Sequence, residues 1–140
     1  MDEINSTIVD LYYKYQTYDP FKIAEFYNLI IRYVEFDEAP HGEVVYIRNK
    51  IYILIDSNFK NTNQRYFICA HELFHYLKHL NSKTYDSNSN EKGFLEQEAD
   101  YFAARLAQTY YKQLNNREAA KAKDLSFFGV PEKIAIDLVY

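Results

Sequence analysis

The sequence predicts an α+β domain in which a small, mostly antiparallel sheet of three strands packs against a helical bundle. Apolar residues recur at helical spacing in both halves of the chain, whereas a segment in the first half is rich in β-branched and aromatic residues. The chain has 140 residues and no internal repeat or linker. That length suits one domain with one sizeable core, so residues 1–140 are interpreted as a single domain.

Capping residues and turn residues divide the chain into elements. Asn5 or Ser6 is the expected N-cap of the first helix, and Asp19-Pro20 is expected to begin the second. The strand at 51–55 is apolar throughout and is therefore expected to be central. The predicted helices cover 5–18, 20–28, 62–80, 93–115, 117–123 and a last segment from 130, and the predicted strands cover 30–36, 43–48 and 51–55, with a tight turn at 49–50 and a Ser- and Asn-rich loop at 81–92.

The composition narrows the class of protein. The net charge of −4 provides no basic surface for nucleic acid, so direct nucleic-acid binding is not expected. The single Cys69 cannot form an internal disulfide and is expected to be a buried apolar residue. The acidic N-terminus lacks the apolar segment of a signal peptide, and no apolar run is long enough to span a membrane. These features predict a cytoplasmic protein without a membrane partner.

The segment 71–75 has the sequence His-Glu-Leu-Phe-His, which is the H-E-x-x-H pattern. On a helix, His71 and His75 lie on one face, about 40° apart, where two imidazoles can bind one Zn²⁺. Glu72 lies about 100° round the helix and can reach a water molecule that the metal activates. This pattern is typical of a zinc-dependent peptidase with Glu72 as general base.

The context of the pattern supports this interpretation. The apolar residues between 66 and 80 form one continuous arc, and His71 and His75 lie outside it. The alternative is that both are ordinary half-buried histidines and that Glu72 is a solvated charge. Three of the four histidines of the chain stand at 71, 75 and 79, which argues against chance. His79 is interpreted as a residue of the pocket rim or as a partner of a ligand.

A third ligand is expected from the next long helix. Glu96 and Asp100 lie at the edge of its apolar stripe, one turn apart, whereas Glu98 lies on the outer side beside Arg105. A carboxylate at the edge of a core needs a partner. Glu96 is therefore the predicted third ligand, Asp100 the predicted partner of the free N–H of His71 or His75, and Glu98 the alternative ligand. An acidic first turn favoured by the helix dipole is the competing explanation.

Hydrolysis also requires a donor that stabilises the carbonyl oxygen as it becomes negative. The sequence contains several candidates near the predicted pocket and does not choose among them. The candidates are Tyr76, His79, Tyr85 and Tyr101.

The motifs together resemble those of the ImmA/IrrE family of metallopeptidases. The similarity rests on four segments, at 19–24, 64–75, 96–103 and 124–131, of which the two middle ones are specific. The chain departs from the usual family pattern at Phe74, where a glycine usually precedes the second histidine, and at 105–108, where the usual L-L-M-P run is absent.

The resemblance implies a regulatory protease that cleaves or inactivates a helix-turn-helix repressor of a phage or mobile element. Two other hypotheses stay open. The zinc site could be structural, in a catalytically inactive module that regulates by binding a partner protein, and His79 or Glu98 would then be a fourth ligand. Alternatively, the turn at 129–131 could belong to a nucleic-acid-binding element, although the acidic charge balance argues against it.

Overall fold

The computed structural model describes residues 2–80 and 89–140, and within these ranges the chain forms an α+β fold. A short 3₁₀ helix, Ser57–Phe59, follows the sheet, and a π-helical turn, His75–His79, continues the third helix. The helices are α1 (Asp2–Tyr15), α2 (Pro20–Phe26), α3 (Gln64–Phe74), α4 (Ser89–Asn115), α5 (Ala122–Ser126) and α6 (Glu132–Val139), and the strands are β1 (Ile30–Val34), β2 (Gly42–Ile47) and β3 (Lys50–Asp56).

The sheet has the order β1-β3-β2, so β3 is central as predicted. Its side chains Ile53 and Ile55 are completely buried. β2 pairs with β3 in the antiparallel sense, whereas β1 pairs with β3 in parallel. The sheet is therefore mixed, and β2 and β1 form its two edges.

The turn between β2 and β3 lies one residue earlier than predicted. Arg48 and Asn49 both have positive φ angles, of 51° and 66°, as a two-residue hairpin turn requires. Lys50 is already paired with Ile47 in the ladder. The prediction of a turn at 49–50 was wrong because Arg48, which carries no turn signal, adopts the left-handed conformation.

The boundaries of several helices also differ from the prediction. α1 begins at Asp2, before the expected caps, and ends at Tyr15 because Gln16 has a φ of 58°. α5 begins only at Ala122, because the Asp124 carboxylate accepts the backbone N–H groups of two preceding residues and caps the helix there. α4 begins at Ser89, inside the predicted loop, of which 81–88 lie outside the described residues. The start of α2 is confirmed, since Asp19 accepts the N–H of Phe21.

The core joins α3 to the sheet on one side and to α4 on the other. Cys69 and Leu73 of α3 are fully buried, which confirms the interpretation of Cys69. Phe74 stacks on Phe102 of α4, with ring centroids 4.7 Å apart. α3 is therefore held by apolar contacts along most of its surface, and its polar residues face the remaining side.

A second apolar cluster attaches the C-terminal helices to α4. Gly129, with a φ of 80°, lies so close to α3 that a Cβ atom there would be 2.5 Å from the Cα atom of Gln64. Only glycine fits this position, and the turn at 129–131 thereby packs against the beginning of α3. Within 2–80 and 89–140, no helix combines the length and hydrophobicity that a membrane span requires.

Candidate metal centre

Three side chains from two helices converge at one point. His71 comes from the last turn of α3, His75 from the π-helical turn that follows, and Glu96 from α4. The Nε2 atoms of His71 and His75 lie 3.0 Å apart. The Glu96 carboxylate lies 3.1 Å from His71 Nε2 through Oε2 and 2.7 Å from His75 Nε2 through Oε1. The structure thus brings together the three residues that the sequence singled out as metal ligands.

The other ring nitrogen of each histidine has its own partner. His71 Nδ1 lies 2.8 Å from Asp100 Oδ1. His75 Nδ1 lies 2.8 Å from His79 Nδ1, and His79 Nε2 lies 3.0 Å from Glu98 Oε1. These contacts fix the two rings so that both Nε2 atoms face Glu96. π-helical turns are rare, and those that occur within helices frequently lie at functional sites; this one carries both His75 and His79.

These donors fit a divalent metal ion. The ligand atoms of His71, His75 and Glu96 all lie within 4.8 Å of one another. Two imidazoles and one carboxylate are a donor set that occurs in catalytic zinc sites, where a fourth position stays open. Partners on the remaining ring nitrogens are the usual support of metal-binding histidines.

Burial and hydrogen bonding act in opposite directions on the pKa values of His71 and Glu96. Burial lowers the pKa of His71, but its hydrogen bonds to Asp100 and Glu96 outweigh burial and raise the pKa to about 10. Burial alone would raise the pKa of Glu96. The hydrogen bonds with His71 and His75 outweigh burial and hold this pKa far below its ordinary value. A proton on His71 therefore occupies the place of a cation, and metal binding must release it.

Glu72 lies beside this cluster without belonging to it. Its Oε2 atom is 3.9 Å from His71 Nε2, and the residue is 7% exposed. Burial raises the pKa of Glu72 to about 7; the positive charge of His71 opposes this rise, and the negative charge of Glu96 adds to it. The side chain thus borders the cluster without contributing an atom to the group formed by His71, His75 and Glu96.

The beginning of β2 passes close to Glu72. A Cβ atom at Gly42 would lie 3.1 Å from Glu72 Oε2 and 2.7 Å from Cγ2 of Ile68. Gly42 therefore allows the sheet to approach α3 directly over the carboxylate.

A cavity of about 840 Å³ opens over the cluster. The described residues that line it include His41, Gly42, His71, Glu72, Glu96 and Asp100. Of the predicted oxyanion donors, His79 lines the cavity, but its two ring nitrogens are engaged by His75 and Glu98. Tyr76 and Tyr101 are not among the lining residues and pack against the core, and Tyr85 lies outside the described residues.

The structure places Glu98 differently from the sequence prediction, and it shows where Phe74 lies. Glu98 was expected on the outer side of α4, but it is only partly exposed, and its Oε1 atom accepts a hydrogen bond from His79 Nε2–H at 3.0 Å. It is not within the group of ligand atoms. Phe74, at the position where the family usually has glycine, is 1% exposed and packs in the core, so it does not line the cavity.

Sequence reasoning did not identify His41. This residue lines the cavity, and its Nδ1 atom lies 2.9 Å from Oδ2 of the buried Asp56. The only sequence signal is a histidine next to a glycine at the beginning of a predicted strand, and its partner stands 15 positions further along the chain.

Comparison with known proteins identifies the class of protein to which this site belongs. The model of the Peptidase_M78 family, an IrrE N-terminal-like domain, matches residues 24–135. The chain therefore belongs to this family of peptidases, which confirms the ImmA/IrrE resemblance of its motifs.

A particular relative is uncharacterized immunity region protein 2 of Bacillus phage phi105. It is 31% identical to this chain over 81 residues, which are 58% of this chain and 51% of the relative. The matched region thus spans about half of that protein. No solved structure matches the chain.

Proposed function

We propose that this protein is a zinc-dependent endopeptidase in which His71, His75 and Glu96 bind the metal. The convergence of their three donor groups, with Glu72 at 3.9 Å from His71 Nε2, carries this proposal. Zn²⁺ in such a set acts as a Lewis acid that activates water and polarises a carbonyl group. The family match supports a peptidase but does not specify the ion.

Glu72 is the proposed general base. Its carboxylate takes a proton from the attacking water and then delivers it to the amine that leaves. Burial raises the pKa of Glu72 above its ordinary value, whereas a bound Zn²⁺ would lower it, so that the carboxylate is ionised and able to accept a proton once the metal is in place. Burial, which raises this pKa, also removes bulk water that would compete for the proton.

The remaining polar residues of the cluster orient the ligands. Asp100 holds His71 through Nδ1, and the pair His79 and Glu98 holds His75 in the same way. We assign Glu98 to this role in place of metal binding. Its contact with His79 also argues against the alternative function, a closed site in an inactive partner-binding module, since His79 and Glu98 are engaged with each other.

The proposed substrate is a helix-turn-helix repressor of a phage or mobile element. The motif resemblance suggested this class of substrate, and the name of the phage phi105 relative refers to an immunity region, which supports a regulatory role. Such a repressor acts on DNA in the cytoplasm, where this protein would meet it. The cavity of about 840 Å³ is open enough to admit a peptide segment.

The test combines metal analysis with cleavage of a repressor encoded beside this gene. We expect one equivalent of zinc per chain and a zinc-dependent cut in the repressor, located by mass spectrometry. Glu72→Gln should retain zinc and lower the cleavage rate by about 10²- to 10⁴-fold. Glu25→Gln, at an exposed position of α2, serves as control. Normal cleavage by Glu72→Gln would refute the assignment of the base, and absence of bound zinc in zinc-supplemented protein would refute the centre.

A further inference from the structure

His41 and Asp56 face each other at the end of the β2–β3 ladder. The register pairs Gly42 with Ile55, and His41 and Asp56 form the next pair. The Asp56 backbone N–H donates to the His41 carbonyl at 2.7 Å, and the His41 Nδ1–H donates to Asp56 Oδ2 at 2.9 Å. The imidazole is thus held through both its backbone and its side chain.

The two members of this pair differ in exposure. The Asp56 side chain is 3% exposed, whereas that of His41 is 50% exposed. Asp56 Oδ1 accepts the backbone N–H of Asn58 at 3.0 Å, which lowers the pKa of Asp56 and keeps the carboxylate ionised, and the His41 contact lowers this pKa further. The ring of His41 also packs edge-on against Phe59, with centroids 4.9 Å apart.

A purely structural role would be to close the end of the sheet. Two observations point to more than that. Nε2 of His41 has no hydrogen-bond partner among residues 2–80 and 89–140. The side chain also lines the same cavity as His71 and Glu72, and the neighbouring Gly42 approaches the Glu72 carboxylate directly. A fixed and half-exposed imidazole therefore borders the cavity at the wall formed by the sheet, across from groups supplied by the helices.

We propose that His41 is a further catalytic residue, whose Nε2–H donates a hydrogen bond to the carbonyl oxygen of the scissile peptide as that oxygen gains negative charge. This inference rests on the proposed peptidase function. In the imidazolium form, His41 donates its Nδ1–H to the Asp56 carboxylate and carries a second N–H on Nε2. Asp56 is a positioning residue, since it acts through the ring. No proton or electron is transferred in this step.

The test measures binding to the zinc-loaded protein with two probes. An N-phosphoryl dipeptide carries a tetrahedral anion that resembles the transition state, whereas a dipeptide hydroxamate binds the metal without such a group. Removal of one hydrogen-bond donor to the oxyanion commonly lowers the rate by about 10²- to 10³-fold. His41→Ala should therefore weaken binding of the phosphoryl probe by about 10²-fold. Binding of the hydroxamate should change by less than about threefold, and zinc content should be unchanged.

Two further variants separate this role from a structural one. Asp56→Asn removes the charge and leaves one acceptor oxygen where the carboxylate uses two, Oδ1 for the Asn58 N–H and Oδ2 for His41 Nδ1–H, so it should weaken binding of the phosphoryl probe by roughly tenfold. Tyr46→Phe removes a hydroxyl that donates to Asn49 at the other end of β2, and it should leave the binding of both probes unchanged. If His41→Ala does not fold, Asp56→Asn carries the test.

The outcomes distinguish this inference from the proposed function. If the wild type binds zinc and both probes but the His41 and Asp56 variants bind the phosphoryl probe as tightly, His41 is not the donor and the peptidase proposal stands. Equal weakening of both probes would indicate a loosened sheet and also overturn the inference. If the wild type binds neither zinc nor either probe, both proposals fail.

Discussion

The burial of Glu72 should be measurable as a pH-dependent loss of stability in the metal-free protein. The pKa of Glu72 rises from its ordinary value of 4.5 to about 7 on folding, chiefly because of burial. The folded protein therefore retains a proton on Glu72 between these two pH values that the unfolded chain has already lost. The stability linked to this group is greatest below pH 4.5 and declines as the pH rises through 7.

The size of the effect follows from the difference between the two pKa values. At about 1.36 kcal/mol per pKa unit, the free energy of unfolding falls by about 3 kcal/mol from low to high pH. About 2.5 kcal/mol of this loss occurs between pH 5 and pH 8. Glu72→Gln removes the ionisable group and with it this loss. Relative to wild type, the variant should gain about 2.5 kcal/mol in free energy of unfolding between pH 5 and pH 8.

Urea unfolding of chelator-treated wild type and Glu72→Gln at pH 5 and pH 8 provides the measurement. A change in hydrogen bonding by the amide contributes equally at both pH values, so the double difference isolates ionisation. Glu25→Gln, at an exposed position, should show a double difference close to zero. A double difference below about 0.5 kcal/mol for Glu72→Gln would show that Glu72 ionises as freely as an exposed glutamate and would refute its burial.

Three further predictions concern the metal and the glycines. Zinc at 100 times its dissociation constant should add about 2.7 kcal/mol of stability and raise the Tm of wild type by about 10 °C. A chelator should reverse this rise and His71→Ala should lack it, whereas an equal rise in the variant would contradict the ligand assignment. Gly129→Ala should lower the free energy of unfolding in urea by about 2 kcal/mol or more, because its Cβ would meet the backbone of Gln64. Gly93→Ala, in open space on α4, should raise it by about 0.5–1 kcal/mol, and equal effects of the two variants would contradict the close approach. Gly42→Ala should retain zinc and lower the cleavage rate by about 10- to 100-fold because it displaces the general base, and an unchanged rate would count against that contact.

The local sequence was sufficient for features that depend on helical period alone. The spacing of His71 and His75 places both on one face of any helix, and the same period places Glu96 and Asp100 at the edge of an apolar stripe. The structure brings these four residues together, with Asp100 beside His71. Helix phase could be computed without a partner because the apolar stripe of each helix marks the direction of the core.

Helix phase was insufficient to predict contacts that depend on the position of a neighbouring element. Glu98 is near the outer side of its own stripe, yet it reaches His79, because α3 continues into a π-helical turn that carries this histidine to α4. The pairing of β1 with β3 is parallel although its apolar residues would suit either sense. Arg48 adopts a positive φ angle, which its residue type does not predict, because the hairpin register requires it.

The sequence by itself determined which helices contain the candidate site residues, because the hydrophobic period and the H-E-x-x-H spacing are properties of a single element. Only the tertiary structure decided what meets those helices. The pairing of His41 with Asp56 and the approach of Gly42 to Glu72 join residues that are far apart in the chain. The first contact depends on the β2–β3 register and the second on how the edge strand packs over α3, and no local propensity encodes either.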